Sequence, residues 1–307
     1  MAKVYAGDFP DPFVLVADAR RRGGVPREHR HFAFGTQTGS INLQVMLSHD
    51  LNVWDRLGDA LPRLPAWAEP GRTWAPAVLG RPDGYVMYYA VRHRAAGRQC
   101  LSLATASRPE GPFVDTSAAP FVFQDDRGGS IDPSPFVDGD GTAYLLWKSD
   151  DNALGRPTSL WGARLTADGL TLAEAPVEVL RQDQAWEAPA IEAPSLVFAG
   201  GAYHLFYSAG PWESASYCVG YATGDAPLGP FRKESPRPWM TSREEAAGPG
   251  GAEVFTDASG SLRIAYHAWT PPNIGYGAGG VRSLWIDRLR FVGGRPVLDE
   301  STNPQTG

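Results

Sequence analysis

Residues 194–208 read PSLVFAGGAYHLFYS: a proline opens one apolar run, a glycine pair follows it, and a tyrosine opens a second run. The same two markers recur upstream at intervals of 59 residues, first as Pro135 with Tyr144 and then as Pro76 with Tyr85. Short apolar runs bounded by glycine and proline are typical of β-strands, and a fixed interval of this length indicates a repeated supersecondary unit. The sequence therefore predicts a tandem array of hairpin-based units.

This repeat extends over nearly the whole chain. ATASRPEGPF at residues 104–113 and ATGDAPLGPF at 222–231 lie 118 residues apart, which is twice the interval. Extended in both directions, the register gives five units with four candidate strands each. Four-stranded units repeated around an axis form propeller blades, which leave only short sheet edges exposed. The predicted fold is all-β, a single five-bladed β-propeller domain over residues 1–307 with four antiparallel strands per blade.

The first unit carries an insertion. Pro12 and Phe32 are 20 residues apart, where the equivalent markers of the later units are nine apart. The extra residues include the basic clusters RRR at 20–22 and REHRH at 27–31. Runs of charge of this kind usually lie in solvent, so the sequence predicts a solvated loop here.

Composition narrows the class of partner. A formal net charge of -6 and a pI near 5.5 disfavour nucleic acid and anionic membranes, which reward basic surfaces, and favour a small neutral ligand. The first apolar stretch, residues 9–16, is short and broken by prolines, so it fits neither a secretion signal nor a membrane span. We therefore expect a cytoplasmic protein. The sequence does not indicate which oligomeric state the protein has.

The two cysteines, Cys100 and Cys218, fall at equivalent positions two units apart. Equivalent positions of non-adjacent blades lie well beyond the roughly 7 Å that a disulfide allows between Cα atoms. The sequence therefore predicts two free thiols.

Carboxylates precede the first strands of three units. Innermost strands of a propeller start at one mouth of the central channel, where the sequence places Asp11, Trp74, Asp132 and Glu192. Clustered carboxylates are costly, because burial and mutual repulsion both favour protonation, and such a cost suggests a functional site. One ambiguity is Glu187, which opens the first Glu-Ala-Pro step of WEAPAIEAPSL; only Glu192 keeps the repeat register.

Three motifs resemble those of glycoside hydrolase family 43, whose members are five-bladed propellers acting on arabinose- and xylose-containing polysaccharides. DFPDPFV is similar to the family's base motif, IDPSPFVDGDGTAYLLW to its modulator motif, and IEAPSLVF to its acid motif. The resemblance implies that Asp11 is the general base, that Asp132 tunes the acid and that Glu192 is the general acid. One carboxyl that protonates the leaving oxygen and one that activates water are the equipment of glycoside hydrolysis, and the resemblance implies inversion without a cofactor for the chemistry.

The resemblance also extends to residues around the carboxylates. It implies that Trp74 lines the sugar pocket and that Arg282 approaches the modulator and the sugar. His267 resembles a family histidine that in some members ligates a structural calcium ion on the propeller axis, although calcium prefers oxygen ligands. The alternative is that His267 is a buried core residue without a metal, and the sequence favours neither interpretation over the other. GPGGAEVF carries Gly251 where the family commonly has histidine, which is a departure from the pattern.

The predicted function is exo-acting release of terminal α-L-arabinofuranosyl residues from arabinan- or arabinoxylan-derived oligosaccharides. A β-D-xylosidase with the same fold and mechanism is one alternative, and a non-catalytic sugar-binding propeller is another. We also take as a hypothesis that the insertion at residues 19–30 walls off one end of the channel and enforces exo action.

Overall fold

A computed structural model describes residues 2–19 and 28–299. The described chain is almost entirely β-strand, arranged in five antiparallel sheets around an axis, so the predicted five-bladed propeller is confirmed. Four short 3-10 helices are the helical segments of these residues: Asp125–Arg127, Asp151–Leu154, Ala185–Glu187 and Tyr276–Ala278. Within this part of the chain no helix has the length and apolar character needed to cross a membrane.

The blades follow one another along the chain. Blade 1 contains β2 (Phe13–Ala19), β3 (Glu28–Gly35), β4 (Gln44–Ser48) and β5 (Asp55–Asp59). Blade 2 contains β6 (Ala68–Arg81), β7 (Gly84–His93) and β8 (Arg98–Ala106). Blade 3 contains β9 (Ser130–Val137), β10 (Ala143–Ser149), β11 (Ser159–Arg164) and β12 (Val177–Arg181). Blade 4 contains β13 (Ile191–Ala199), β14 (Ala202–Ala209), β15 (Cys218–Gly224) and β16 (Arg232–Lys233). Blade 5 contains β17 (Ala247–Thr256), β18 (Leu262–Trp269), β19 (Arg282–Val292) and β1 (Ala2–Tyr5), and β20 (Arg295–Leu298) also pairs with β19.

The ring is closed by the start of the chain. β1 pairs antiparallel with β19, with Ala2 opposite Ile286 and Lys3 opposite Trp285. The fourth strand of blade 5 therefore comes from the N-terminal side of blade 1, so the first and last blades are tied by main-chain hydrogen bonds. In blade 2 the fourth position is held by isolated antiparallel bridges to β8, which join Thr105 with Val114 and Leu101 with Val122.

Each innermost strand is entered through a bulge at the same mouth of the channel: the pairing shows the register shift in blades 2 to 5, and the entry to β2 at Asp11 is the equivalent position of blade 1. In each bulge one residue has a positive φ: Asp11 (53°), Ala75 (45°), Asp132 (56°), Ala193 (49°) and Gly251 (58°). In four blades the next residue is proline, which lacks an N–H and is tolerated in a sheet only at bulges and edges. Positive φ is strained for residues other than glycine, and strain of this kind clusters at functional sites.

The bulges correct the predicted equivalence of the three acids. Asp11 and Asp132 are themselves the positive-φ residues of their bulges, whereas Glu192 is one residue earlier, the position that Trp74 holds in blade 2. The side chain of Glu192 therefore projects from its bulge in a different direction from those of Asp11 and Asp132.

The basic insertion is partly strand. β2 and β3 form a hairpin that pairs as far as Ala19 and Glu28, and the His31 side chain in β3 is only 4% exposed. The prediction of a solvated loop is thus wrong for Glu28–His31, because the strand continues through the second basic cluster. The first cluster, RRR at 20–22, lies outside the described residues.

Apolar clusters fill the spaces between neighbouring blades. One of them packs Phe34 of blade 1 on Phe113 and on Tyr89 of blade 2. Both cysteines belong to such clusters, are buried and form no disulfide, which confirms the predicted free thiols.

Candidate active site

The five bulges place their residues around one opening of the axial channel. Asp11 and Asp132 line this opening together with the small residues Ala75, Ala193 and Gly251. The three carboxylates surround one phenol: burial, and then the charges of Glu192, Asp132 and Asp11, raise the pKa of Tyr217 well above its usual value. The structure thus brings together the three acids that the sequence singled out.

Asp11 is held by groups from blades 1 and 5. Its Oδ2 accepts a hydrogen bond of 2.5 Å from the Thr36 hydroxyl, and its Oδ1 lies 3.4 Å from Nη1 of Arg282. Its backbone N–H donates to Nδ1 of His267 at 3.0 Å. The carboxylate is partly accessible from the channel, so this arrangement fixes its direction while leaving it open to a water molecule.

Arg282 lies beneath an aromatic cage. Its guanidinium is within 4.9–5.9 Å of the ring centres of Trp212, Trp269 and Tyr276. Cation–π contacts of a desolvated arginine are worth about 2 kcal/mol or more, so the cage holds the charge in place. The resemblance implied that Arg282 approaches the modulator; the structure places it on the base Asp11 instead.

Asp132 is the carboxyl whose protonation the fold alters most. Burial, then the charges of Glu192 and Asp11, raise the pKa of Asp132 well above its usual value, against the opposing charge of Lys148. Its Oδ2 accepts a hydrogen bond of 2.9 Å from the backbone N–H of Ala193, beside Glu192 in blade 4. Asp132 is therefore built to hold a proton next to the predicted acid, as a modulator would.

Glu192 is anchored through both carboxyl oxygens. Oε2 lies 2.9 Å from the ammonium of Lys148, and Oε1 accepts a hydrogen bond of 2.8 Å from the hydroxyl of Tyr217. Gly250 lets this phenol approach, because a Cβ there would lie 2.0 Å from the Tyr217 ring.

Glu187 is a structural residue. Its side chain is 0% exposed, pairs with the ammonium of Lys233 at 2.7 Å and accepts the Tyr207 hydroxyl at 2.9 Å. It also accepts the backbone N–H groups of Asp183 and Gln184. A carboxylate with its acceptors already filled and no access to the channel is a poor proton donor to substrate, which favours Glu192 as the acid.

His267 is a fully buried neutral ring that positions the base. Burial, and secondarily the charge of Arg282, lower its pKa well below the usual value. Because Nδ1 accepts the Asp11 N–H, the proton of the neutral ring is on Nε2, which has no hydrogen-bond partner among the described residues. A protonated nitrogen offers no lone pair to a metal, so the ring does not fit direct calcium ligation. In the described part of the chain no three His, Cys, Asp or Glu residues are grouped to hold an ion.

The departure at Gly251 has a steric reason. A Cβ there would lie 2.7 Å from Nδ1 of His267 and 3.2 Å from the Cα of Asp11, and the residue has a φ of 58°. A histidine at position 251 would therefore displace the base from its present position.

Trp74 lies at the same mouth. It directly precedes Ala75, is partly buried and packs against the apolar cluster shared by blades 2 and 3. Its role in sugar binding stays a prediction.

Sequence reasoning missed three residues of the site: Thr36, Lys148 and Tyr217. Lys148 left a signal, because a lysine in the otherwise apolar strand YLLWKS requires a buried partner. Thr36 and Tyr217 left none, since each acts on a carboxylate of a segment at least 25 residues away.

Comparisons with known proteins identify the family of the chain. The family model for glycosyl hydrolases family 43 matches residues 3–296. The chain is 29% identical over 243 residues to the probable arabinan endo-1,5-alpha-L-arabinosidase A of Aspergillus flavus, with 73% of each protein covered. It is 28% identical to the arabinoxylan arabinofuranohydrolase of Bacillus subtilis, over 73% of this chain and 45% of that protein.

Among solved structures, a thermostable family-43 glycoside hydrolase superposes with a TM-score of 0.81 at 29% identity, covering 98% of this chain and 96% of the other. The family model thus spans almost the whole of a propeller whose bulged inner strands gather three carboxylates at one mouth. This protein belongs to glycosyl hydrolases family 43.

Proposed function

We propose that this protein is an inverting, exo-acting glycoside hydrolase that releases terminal α-L-arabinofuranosyl residues from arabinan- or arabinoxylan-derived oligosaccharides. The observation that carries the proposal is that the two carboxylates have different cationic partners. Asp11 is paired with Arg282, and Glu192 is paired with Lys148. Two carboxyl groups with separate environments are what an acid and a base acting on opposite sides of one sugar require.

In the proposed reaction, Asp11 removes a proton from a water molecule whose oxygen attacks the anomeric carbon. The glycosidic C–O bond breaks, its electron pair goes to the leaving oxygen, and Glu192 supplies the proton that neutralises that oxygen. Asp132 stands beside Glu192, and its raised pKa favours retention of a proton in the acid pair. Arg282 and Thr36 hold the carboxylate of Asp11 toward the water.

Two features support the pentofuranoside. The mouth is lined by the small residues Ala75, Ala193 and Gly251, which suits a small sugar ring such as a pentofuranoside beside the acids. The arabinofuranohydrolase and arabinan-acting relatives both take arabinose-containing substrates by their names, which supports the pentofuranoside; the arabinan-acting relative is named as endo-acting and does not support the exo mode. The described strand ends that flank the blade 1 insertion lie away from the mouth, and the hypothesis that the insertion enforces exo action stays a prediction.

The test is hydrolysis of 4-nitrophenyl α-L-arabinofuranoside and β-D-xyloside in parallel, with NMR of the product anomer from an arabino-oligosaccharide. We expect preference for the arabinofuranoside, an inverted anomer and arabinose as the first product. Preference for the xyloside would make the protein a β-xylosidase, and internal cleavage of arabinan would make it an endo-arabinanase.

The variants Asp11→Asn and Glu192→Gln test the chemistry. General acid–base catalysis contributes about 10²–10⁴-fold, so each variant should lose at least about 100-fold in kcat. Azide should restore turnover in Asp11→Gly as an inverted glycosyl azide, because the anion needs no base. Equal low rates in the wild type and both variants would favour a sugar-binding propeller without catalysis.

A further inference from the structure

Lys148 is a buried cation among carboxylates. It lies in β10 of blade 3, its side chain is 1% exposed, and its ammonium is 2.9 Å from Oε2 of Glu192 and 3.1 Å from Oδ1 of Asp150. A charge out of water is stable only when well paired, and removing one partner of such a pair is strongly destabilising. The ion pair with Glu192 crosses from blade 3 to blade 4, so the lysine links the acid to the blade that carries the modulator.

The same ammonium acts on Asp132. Lys148 pairs along the sheet with Ile131, the residue before Asp132, and its charge opposes the effects that raise the pKa of Asp132. Burial lowers the pKa of Lys148, but the charges of Glu192, Asp150 and Asp132 outweigh it and raise that pKa above its usual value. Lys148 is therefore charged throughout the range in which an enzyme works.

The part of the site around the proposed acid contains one cation, Lys148, and three carboxyl groups. Those carboxyl groups belong to Glu192, Asp132 and Asp150, so negative groups outnumber positive ones. An ammonium at hydrogen-bonding distance favours the ionised form of its partner, and a neighbouring carboxyl without such a partner takes the proton. Of the two members of the acid pair, Glu192 has the closer contact with Lys148 and a second donor in Tyr217, whereas Asp132 accepts only a backbone N–H.

We propose that Lys148 is a positioning residue for the general acid: it holds Glu192 by one carboxyl oxygen, and its charge weakens the hold of the Asp132–Glu192 carboxyl pair on their shared proton. The inference rests on the proposed role of Glu192 as the acid. It assigns to Lys148 the control of how strongly the pair holds that proton.

Among the other groups near the pair, Glu253 of blade 5 lines the same channel, and burial raises its pKa to about 8, so the profiles are measured in a Glu253→Gln background. Tyr217 has a pKa raised well above its usual value, and His267, which stacks on Tyr217, has a pKa lowered well below its own. Asp11 faces the pair from blade 1. In the Glu253→Gln background the alkaline limb of kcat/KM therefore reports the loss of the proton held by the pair.

The first experiment compares Lys148→Met with Asp150→Asn in pH profiles of kcat/KM. Loss of the cation should raise the alkaline limb by about one pH unit or more, since an opposite charge at this distance shifts a pKa by about 1–3 units. Loss of the Asp150 charge should lower the limb, because Lys148 then acts on the pair alone. Lys148→Arg keeps the charge and should keep the limb near that of the wild type.

A second readout depends on the leaving group. If Lys148 acts through the acid, the loss in Lys148→Met should be at least tenfold greater for 4-nitrophenyl glycosides than for 2,4-dinitrophenyl glycosides, whose leaving group needs little protonation. An unmoved limb with equal loss for both substrates would overturn the proposal and leave Lys148 a structural residue.

A third readout needs no substrate. Carboxyl ¹³C NMR, with the Asp132 signal assigned by Asp132→Asn, should show a higher titration midpoint for Asp132 in Lys148→Met than in the wild type. An unchanged midpoint would overturn the inference. A raised midpoint in a protein that cleaves neither pentoside would support it and reject only the proposed substrate.

Discussion

At the scale of single residues, Thr36 shows how the fold directs the base. Its hydroxyl donates to Oδ2 of Asp11 at 2.5 Å and accepts the backbone N–H of Ala75 at 2.9 Å, so it joins the bulges of blades 1 and 2. Thr36→Val keeps the shape and removes both bonds. A hydrogen bond to a charged group is worth about 1.5–3 kcal/mol, so kcat should fall about 10- to 100-fold with little change in KM.

The control for this prediction is Thr36→Ser, which keeps the hydroxyl and should retain most of the wild-type kcat. A Thr36→Val enzyme as active as Thr36→Ser would show that the Thr36 bond does not hold the base. Thermal unfolding of both variants separates an effect on Asp11 from a general loss of stability.

Which residues could be predicted from sequence depended on whether their partners are local. The acids were found because each opens a strand at a repeated position, and Glu192 was separated from Glu187 by the register alone. The structure supplies the physical reason, because Glu187 is already paired with Lys233 and accepts a hydrogen bond from Tyr207. Partners such as Thr36 and Tyr217 escaped because the contact depends on how neighbouring blades are placed.

At the scale of elements, the β2–β3 hairpin begins at the site and runs away from it. β2 begins two residues after Asp11 and pairs with β3 as far as Ala19 and Glu28. At about 3.3 Å per residue, the eight residues from Asp11 to Ala19 carry the chain roughly 25 Å from the base. The described strand ends that flank the insertion therefore lie far from the base, and the hypothesis that the insertion walls off the channel stays a prediction.

Replacing residues 20–27 by Asn-Gly tests this hypothesis, because a two-residue turn can join the paired ends of a hairpin. We expect kcat/KM for arabino-oligosaccharides within about twofold of the wild type and an unchanged product profile by anion-exchange chromatography. Longer products, or loss of activity only on longer substrates, would show that the insertion reaches the mouth after all.

Other elements could not be predicted from the repeat. The bulges shift the register locally, so Pro135, the third marker of the repeat, lies two residues beyond the bulge proline Pro133. β1 lacked any signal of its own, since its four residues become a strand only by pairing with β19 across the closed ring. Long-range pairing of this kind follows from closure of the propeller and not from local preference.

At the scale of the whole molecule, Glu253 ties three blades together at the axis. It lies on β17 of blade 5, lines the channel, and takes hydrogen bonds from Ser134 of blade 3 and Ser195 of blade 4. Burial raises its pKa to about 8, against the opposing bonds from the two serines. The centre of the propeller thus holds a carboxyl group that is neutral in mildly acidic solution.

This carboxyl makes the stability of the propeller depend on pH. The unfolded chain loses the Glu253 proton above its ordinary pKa of 4.5, whereas the folded protein keeps it until about pH 8. Between these values the folded state binds more protons, so the contribution to stability is full below pH 4.5 and declines as pH rises, by up to about 1.4 kcal/mol per unit.

Glu253→Gln removes this slope, because the amide keeps an oxygen acceptor for the serines and does not titrate. The variant should gain stability relative to the wild type as pH rises from 5 to 8, in urea unfolding followed by tryptophan fluorescence. Glu245→Gln, a substitution at an exposed site, should keep the wild-type dependence on pH. Parallel curves for the wild type and Glu253→Gln would mean that the carboxyl is ionised in the folded channel, where water or an ion must then replace the proton.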